Sequence, residues 1–561
     1  MADIISDIEK SIKDVIDRAV KKACETQELN ITVMPDYIIE VPREKTNGDF
    51  ATNIAMLLPK QAKMPPRKIA EILTSHMDTA DTYIEKVETA GPGFINFYLN
   101  NKWLINVIPV IEKEAENYGR CNKGQGKKIN VEFVSANPTG PMHMGNARGA
   151  ALGDSLANLL EAVGYDVTKE FYVNDSGNQI ENFGKSLEAR YLQLFGIEAE
   201  IPEEGYHGED IIEHMRELIK IEGDKYLNVP EEERRARLTE YALEKNLARM
   251  KKDLADFGVE FDIWFSEQTL HKVGKVEQTI DYLKEKGYTY ESEDALWFKA
   301  SQFGAEKDEV LIRSNGLPTY FAADIAYHKN KFERGFEIAI DIWGADHHGH
   351  IPRMKGAVEA LGYNPDRLHV IIMQLVRLYR QGEIARMSKR TGRAVTLSDL
   401  IEEVGRDAAR FFFNMRSADT HLDFDLDLAV TQSTDNPVFY VQYAHARICS
   451  ILRQAEENGI TILPAEEANL EVLTEESELA ILRKLADFPS EILNSALAYE
   501  PYHLTRYSLE LSSLFHTFYN SCRVIGQEEN IMIARLLLIK SVKQVLKNTL
   551  TLLGITAPER M

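Results

Sequence analysis

Paired cysteines, a long apolar run and a surplus of positive charge are all missing from this sequence of 561 residues. The four cysteines, Cys24, Cys121, Cys449 and Cys522, stand singly. With no close pair, neither a disulfide framework nor a CxxC zinc ribbon is indicated, and a reducing compartment is expected. No apolar stretch approaches the roughly 18 residues that a membrane span needs. The opening segment MADIISDIEKSIKDVIDRAVKKA spaces Ile5, Ile8, Ile12, Val15 or Ile16, and Val20 for a helix, and its acidic residues exclude a signal-peptide core. A cytoplasmic protein without membrane contact is the expectation. No long apolar surface strip is evident, which favours a monomer.

Against 65 Lys and Arg stand 88 Asp and Glu, a net charge of −23. Phosphate is normally met by a surplus of Lys and Arg, so this balance counts against a uniformly basic nucleic-acid surface. A local basic stripe remains possible, because a whole-chain sum hides one. The content is otherwise ordinary, 44% apolar and 27% charged, which excludes collagen-like, disordered and repeat classes. At roughly 100–200 residues per domain the chain divides into three or four units.

Residues 1–112 read as a small N-terminal α/β domain: the helix above, strand-like YIIEV and FINFYL, and turn-rich PREKTNGDF. A lysine- and glycine-rich connector, Asn122 to Lys128, follows. Over 113–395 the pattern becomes βαβ. INVEFV leads through a turn-rich loop to a helix from about Met144 to Val163 with small residues on one face, and YDVTKEFYVND supplies the next strand. A parallel sheet with right-handed crossover is expected, joined by EIAIDIWG and HVIIM. Long charged helices and short strands at about 180–315 read as insertions. Over 396–561 the signal is almost purely helical, with Asp435 and Asn436 before Pro437 as a helix start. The fold class is α/β with a C-terminal all-α helical bundle.

Two loops carry chemistry. SANPTGPMHMG, Ser135 to Gly145, lies between a strand and the start of its helix, where free N–H groups and the positive end of the helix dipole suit phosphate. Gly140 and Gly145 admit close backbone approach, and His143 stands at the helix start as a donor to phosphate oxygens. A turn with a structural histidine explains the same residues equally well. The second loop, ARMSKRTGR from Ala385 to Arg393, is basic and contains glycine. Arg386 and Lys389 are cations able to close over a triphosphate, although a solvated charge run reads as easily.

HMGN at His143 to Asn146 and RMSKR at Arg386 to Arg390 resemble the HIGH and KMSKS signatures of class I aminoacyl-tRNA synthetases, in the same order. VEFVSANPTGPMHMGNARG, YVNDSGNQI, FDIWFSEQ, LPTYFAADIAYH, WGADHHGH, NPVFYVQYAHAR and terminal APERM resemble the arginyl-tRNA synthetase family across essentially the whole chain. Asn146 stands where histidine is usual, keeping a donor but no charge. Arg386 replaces a lysine, a planar fork for a point charge, and Lys389 is therefore weighted above it. A tRNA-binding scaffold that has lost the chemistry is the alternative these departures raise.

The resemblance implies a Rossmann-type class I catalytic domain, a tRNA-elbow-binding N-terminal domain and an anticodon-binding bundle. Its implied partners are tRNA-Arg, L-arginine and ATP, the last with Mg2+ as substrate complex. His143, Asn146, Lys389 and Arg386 are the implied catalytic residues. Pro138, Gly140, Gly145, Gly344, Asp346, Met387 and Ser388 would join His143, Asn146 and Lys389 around ATP. Glu132, Ser135, Asn137, Tyr320, Asp324 and His347 would bind arginine. A guanidinium needs in-plane acceptors, and Tyr320 and Asp324 lie four apart, on one face of a helix. The string GADHHGH, Gly344 to His350, invites a metal, but no second ligand set accompanies it; structural zinc is not expected. In the bundle, Arg447, Arg453, Arg506, Arg523 and Lys543 mix with Tyr440, Tyr443, Tyr502, Phe515 and Tyr519, at helical spacing that suits core packing as well as base stacking.

Overall fold

The computed structural model describes residues 4–42, 44–385 and 395–561. The amphipathic helix Ile4–Glu25 buries Ile8, Ile12, Val15, Ile16 and Val20 and packs with the helix Pro66–His76 beside an antiparallel four-stranded sheet. YIIEV contributes only the edge strand Ile39–Glu40 to that sheet.

The central layer is a five-stranded, wholly parallel sheet: β1 Lys128–Glu132, β2 Asp166–Val173, β3 Ile263–Ser266, β4 Ile338–Gly344 and β5 Leu368–Met373, in the order β5-β4-β1-β2-β3. Strand β3 falls inside the span read as insertion, yet it is the sheet's edge; its four residues are too few to stand out between charged helices. Helix α1, Met144–Ala162, packs tightly on the sheet. A Cβ at Gly153 would lie 2.2 Å from the Phe133 ring, so only glycine fits there. The connector Asn122 to Lys128 is docked rather than loose, since Cys121, Gly124 and Gly126 donate backbone bonds to Ala162, Val163 and Gly164 at 2.8 Å.

Between β2 and β3 the helix α2, Glu231–Asp256, covers a separate small core with Phe183, Tyr191 and Met215. Helix α3, Tyr320–Glu333, precedes β4. Beyond 396 the chain is not purely helical: Leu422–Asp425 pairs in parallel with Val376–Arg380. The bundle itself comprises α4 Pro437–Glu457, α5 Glu476–Ala498, α6 Tyr502–Ser521 and α7 Glu529–Leu552. Asn436 caps α4, accepting from Val438 N. The bundle is tied to the other units at the C-terminal end of α7. Asn548 donates to Ala115 O at 2.9 Å, and the fully buried Arg410 donates to Leu553 O at 2.9 Å while pairing with Asp154 of α1.

Candidate active site

The loop that leaves β1 is bent sharply. Val134 and Ser135 have φ of +70° and +37°, and Ser135 N donates to Phe133 O at 3.0 Å across a three-residue turn. Left-handed backbone costs a β-branched residue most, and such strain gathers at ligand sites. Side chains hold the bend: Ser135 Oγ donates to Glu132 Oε1 at 2.9 Å and accepts from Tyr172 N at 3.2 Å. Farther along, the buried amide of Asn246 on α2 donates to Pro138 O at 2.9 Å and is itself met by His214 at 2.8 Å. Asn137 is exposed and donates to Gln179.

The loop ends at the N-terminus of α1. His143 is the N-cap residue, and its backbone N–H donates to Asn146 Oδ1 at 3.0 Å. The asparagine in the histidine position is thus a helix cap, with its Nδ2 left as donor. Partial desolvation holds the His143 imidazole below its ordinary pKa, so it is neutral at pH 7. A side chain at Gly140 or Gly145 would meet nothing nearer than 3.8 or 3.5 Å, which leaves room above the loop for a ligand. Arg386, Met387, Ser388 and Lys389 lie outside the described residues, which resume at Val395. Thr396 pairs with His143 as an antiparallel bridge, and Leu397 N donates to Met142 O at 2.9 Å. The exit of the basic loop therefore docks on the start of α1.

A second group lies across the C-terminal ends of β2, β3 and β4. Tyr320 and Asp324 begin α3, whose N-cap Thr319 accepts from Ala322 N. Tyr320 packs over Gly177, where a Cβ would be 2.8 Å from its hydroxyl. Asp324 is 36% exposed, and His350 Nε2 approaches its Oδ2 at 3.3 Å without hydrogen-bond alignment. Burial of Asp324, the condition for the strongest discrimination between a cation and a neutral analogue, is thus only partial. Of the GADHHGH string, Asp346 and His347 point outward, 82% and 59% exposed, whereas His350 packs against Phe321 and Trp343 at 5.4 and 5.5 Å.

Glu267, which the sequence reading did not single out, is the missed residue. It is buried, accepts from Tyr172 Oη at 2.8 Å, and lines a recess of about 170 Å³ with Gly177, His271, Arg313 and Tyr320. Burial raises its pKa, and the nearby Asp324 charge raises it further. Glu267 lies near enough to Asp324 for the two charges to act on each other, and a second carboxylate suits a planar cation; in the sequence it stood only within the quoted FDIWFSEQ string. Glu132, by contrast, is engaged internally, by Ser135 and by the ammonium of Lys331 at 2.6 Å.

On the bundle, Phe439 and Tyr443 stack 6.0 Å apart at 8°, and the Arg447 guanidinium lies 4.2 Å over Tyr519. Tyr440, Tyr443, Tyr502 and Tyr519 are half-buried, while Phe515 is core. The remaining cations are largely tied to the protein: Arg506 lies 3.7 Å from Glu510, Lys543 3.7 Å from Glu559, Arg453 donates to Glu559 O, and Arg523 to Ile525 O.

Residues 108–433 match the family described as tRNA synthetases class I (R), catalytic domain; residues 7–99 match the arginyl tRNA synthetase N terminal domain, and 441–561 the DALR anticodon binding domain. The chain is 60% identical to the arginine–tRNA ligase of Caldanaerobacter subterraneus subsp. tengcongensis and 57% identical to that of Acetivibrio thermocellus, with 100% of each chain covered. The arginyl-tRNA synthetase structure from Thermus thermophilus superposes with a TM-score of 0.74 over 99% of this chain and 100% of its own, at 22% identity. Among the described residues no helix is long and apolar enough to cross a membrane.

Proposed function

This chain belongs to the arginyl-tRNA synthetase family, and we propose that its arginine pocket lies between Asp324 and Glu267 and opens toward the start of α1. The enzyme activates arginine with ATP and transfers it to the 3′-terminal adenosine of tRNA-Arg. In the proposed pocket the guanidinium meets the two carboxylates beside Tyr320, with His347 at the rim, and Ser135 and Asn137 take the α-amino and carboxylate ends. Glu132 acts behind Ser135, since its second oxygen is held by Lys331.

The substrate carboxylate attacks the α-phosphorus of ATP in line and pyrophosphate leaves; a ribose hydroxyl of the tRNA then attacks the adenylate carbonyl and AMP leaves. No protein nucleophile is needed, and catalysis rests on positioning and charge. Neutral His143 donates one N–H to the phosphates and Asn146 a second through Nδ2. Lys389, with Arg386, neutralises the leaving pyrophosphate. Pro138, Gly140, Gly145, Gly344, Asp346, Met387 and Ser388 complete the nucleotide site, where ATP arrives as its Mg2+ complex. The observation that carries this reading is Thr396 seated on His143, which brings the exit of the cationic loop to the helix that would hold the phosphates.

The half-buried aromatic face of α4 and α6 suits unpaired anticodon bases, with Arg447 beside it. The N-terminal domain takes the elbow of the tRNA, and the enzyme works as a cytoplasmic monomer that needs tRNA for the first step. Charging of total tRNA by the purified protein, assayed with each amino acid in turn, tests the reading. Charging with arginine alone is expected; charging with another amino acid, or with none, ends it.

A further inference from the structure

Three neighbouring strands of the parallel sheet each place one carboxylate in a single row on one face. Asp341 of β4 is in register with Glu132 of β1, and Glu132 with Glu170 of β2. All three are buried, Glu170 and Asp341 completely. Parallel strands lie about 4.8 Å apart, so three ionised carboxylates in such a row repel one another and forfeit their hydration. The row exists because helix α3 lays cations over it. Lys331, wholly buried, bridges Glu132 at 2.6 Å and Asp341 at 2.7 Å. His328 Nε2 meets the other oxygen of Asp341 at 2.7 Å. Arg334 grips both oxygens of Glu170 at 2.6 and 2.8 Å, and Tyr327 and Asn130 donate to the same carboxylate at 2.6 and 3.0 Å.

Apolar packing would bury this helix as well and would tolerate sliding or rotation. A row of paired charges admits one register, since any shift strands a buried charge; fixing register is the best-attested use of buried polar groups. Register matters here because two members of the row, Asp341 at one end and Glu132 in the middle, connect to the proposed arginine pocket. His328 Nδ1 meets the Asp324 carbonyl oxygen at 2.8 Å. Burial and the neighbouring Lys331 cation push the imidazole pKa down, but the Asp341 carboxylate outweighs them and raises it. In the middle of the row, Oε1 of Glu132 fixes the hydroxyl of the strained Ser135.

We infer that Lys331, assisted by His328, is a positioning residue for arginine specificity: it locks α3 in register on the acidic row and so holds Asp324 and Ser135 at the spacing that arginine spans. Lys331 touches no substrate and acts through Glu132 and Asp341. The inference rests on the pocket reading above.

Arginine-dependent pyrophosphate exchange with tRNA present, measured on full-length Lys331→Met and Asp324→Asn together with thermal unfolding, tests it. Folded Lys331→Met is expected to raise the KM for arginine at least about tenfold, with the KM for ATP within about twofold, and Lys331→Arg to recover part of the loss. An unchanged arginine KM in the folded variant, or equal rises for arginine and ATP, overturns the inference. Should Lys331→Met not fold, His328→Gln keeps a donor but cannot bridge Asp324 O and Asp341 as the ring does; an arginine-selective rise of about threefold supports the inference and an unchanged KM overturns it. Failure of both variants to fold assigns the row to folding alone and overturns it too. Asp324→Asn separates the two failures. If it leaves the arginine KM unchanged, the pocket reading is wrong; if it raises that KM while Lys331→Met does not, only the present inference falls.

Discussion

The two halves of the cleft are built differently. On the proposed arginine side the side chains rest on a buried, charge-paired support: Lys331 and Asp341 are both 0% exposed, and Glu267 is held by Tyr172. On the nucleotide side the candidate groups stand in solvent, with Asp346 82% exposed and His143 exposed at the tip of α1. A small planar cation that must be told from its neutral analogues calls for groups fixed in advance. A triphosphate offers many equivalent oxygens, and helix ends and cations can gather around it. Loss of a group should therefore show chiefly in the turnover number on the nucleotide side and in the arginine KM on the other.

The largest effect is expected from His143→Ala. Removing one donor from developing charge costs about 10²–10³-fold in kcat, while the arginine KM should move little; a reversed pattern in steady-state exchange breaks the contrast. His143 also carries the pH dependence. Desolvation lowers its pKa from the ordinary 6.5, so the neutral form persists below that value. Its contribution to stability is fully present above pH 6.5 and is lost as pH falls through the lower folded value. The acid limb of kcat/KM for ATP in exchange, which reports the free enzyme, should accordingly lie below pH 6.5 and vanish in His143→Asn.

Asp324→Ala comes next. Truncating one partner of a charge pair costs about 2–5 kcal/mol, and partial exposure places Asp324 at the low end, about 2–3 kcal/mol. That is roughly a 30- to 150-fold loss in kcat/KM for arginine, carried by KM. Equal loss toward ATP would erase the distinction between the two sides. Asn246→Ala is a smaller perturbation that straddles them, because Pro138 O loses its partner at about 1–3 kcal/mol. Both substrates should lose efficiency about equally, roughly tenfold. Gly153→Ala is expected to act on stability alone, by about 1–3 kcal/mol, through collision with Phe133; a change in either KM at a temperature where the variant is folded would show that α1 transmits strain to its tip.

What the sequence made legible follows the same division. The start of α1 was readable because a strand, a glycine-containing loop and a small-residue helix are consecutive, and local pattern encodes local structure. Tyr320 and Asp324 came from the family resemblance, and their four-residue spacing agrees with their place on α3; Asn436 was readable by its place before Pro437. The charged row was not, because Glu132, Glu170, Lys331 and Asp341 are brought together by strand order and not by any spacing along the chain. Glu267 escaped for a related reason: a lone glutamate at the end of a short edge strand carries no periodic signal, and its burial comes from Tyr172 on another strand. The strand Leu422–Asp425 was lost among helices because its alternation, LDFD, lasts only four residues. Within GADHHGH the residue types could not say which histidine faces the pocket; the turn Ala345–His350 points His350 inward and His347 out.

The convergence of two distant loops on one nucleotide is tested most directly by single-turnover formation of arginyl-adenylate by Lys389→Ala, with tRNA present and its Kd measured in parallel. The expected result is a rate lowered about 10²-fold with the tRNA Kd within about twofold of the unaltered enzyme. A loss shared equally between rate and tRNA affinity would mean that the cationic loop serves tRNA binding and never meets the phosphates beside His143.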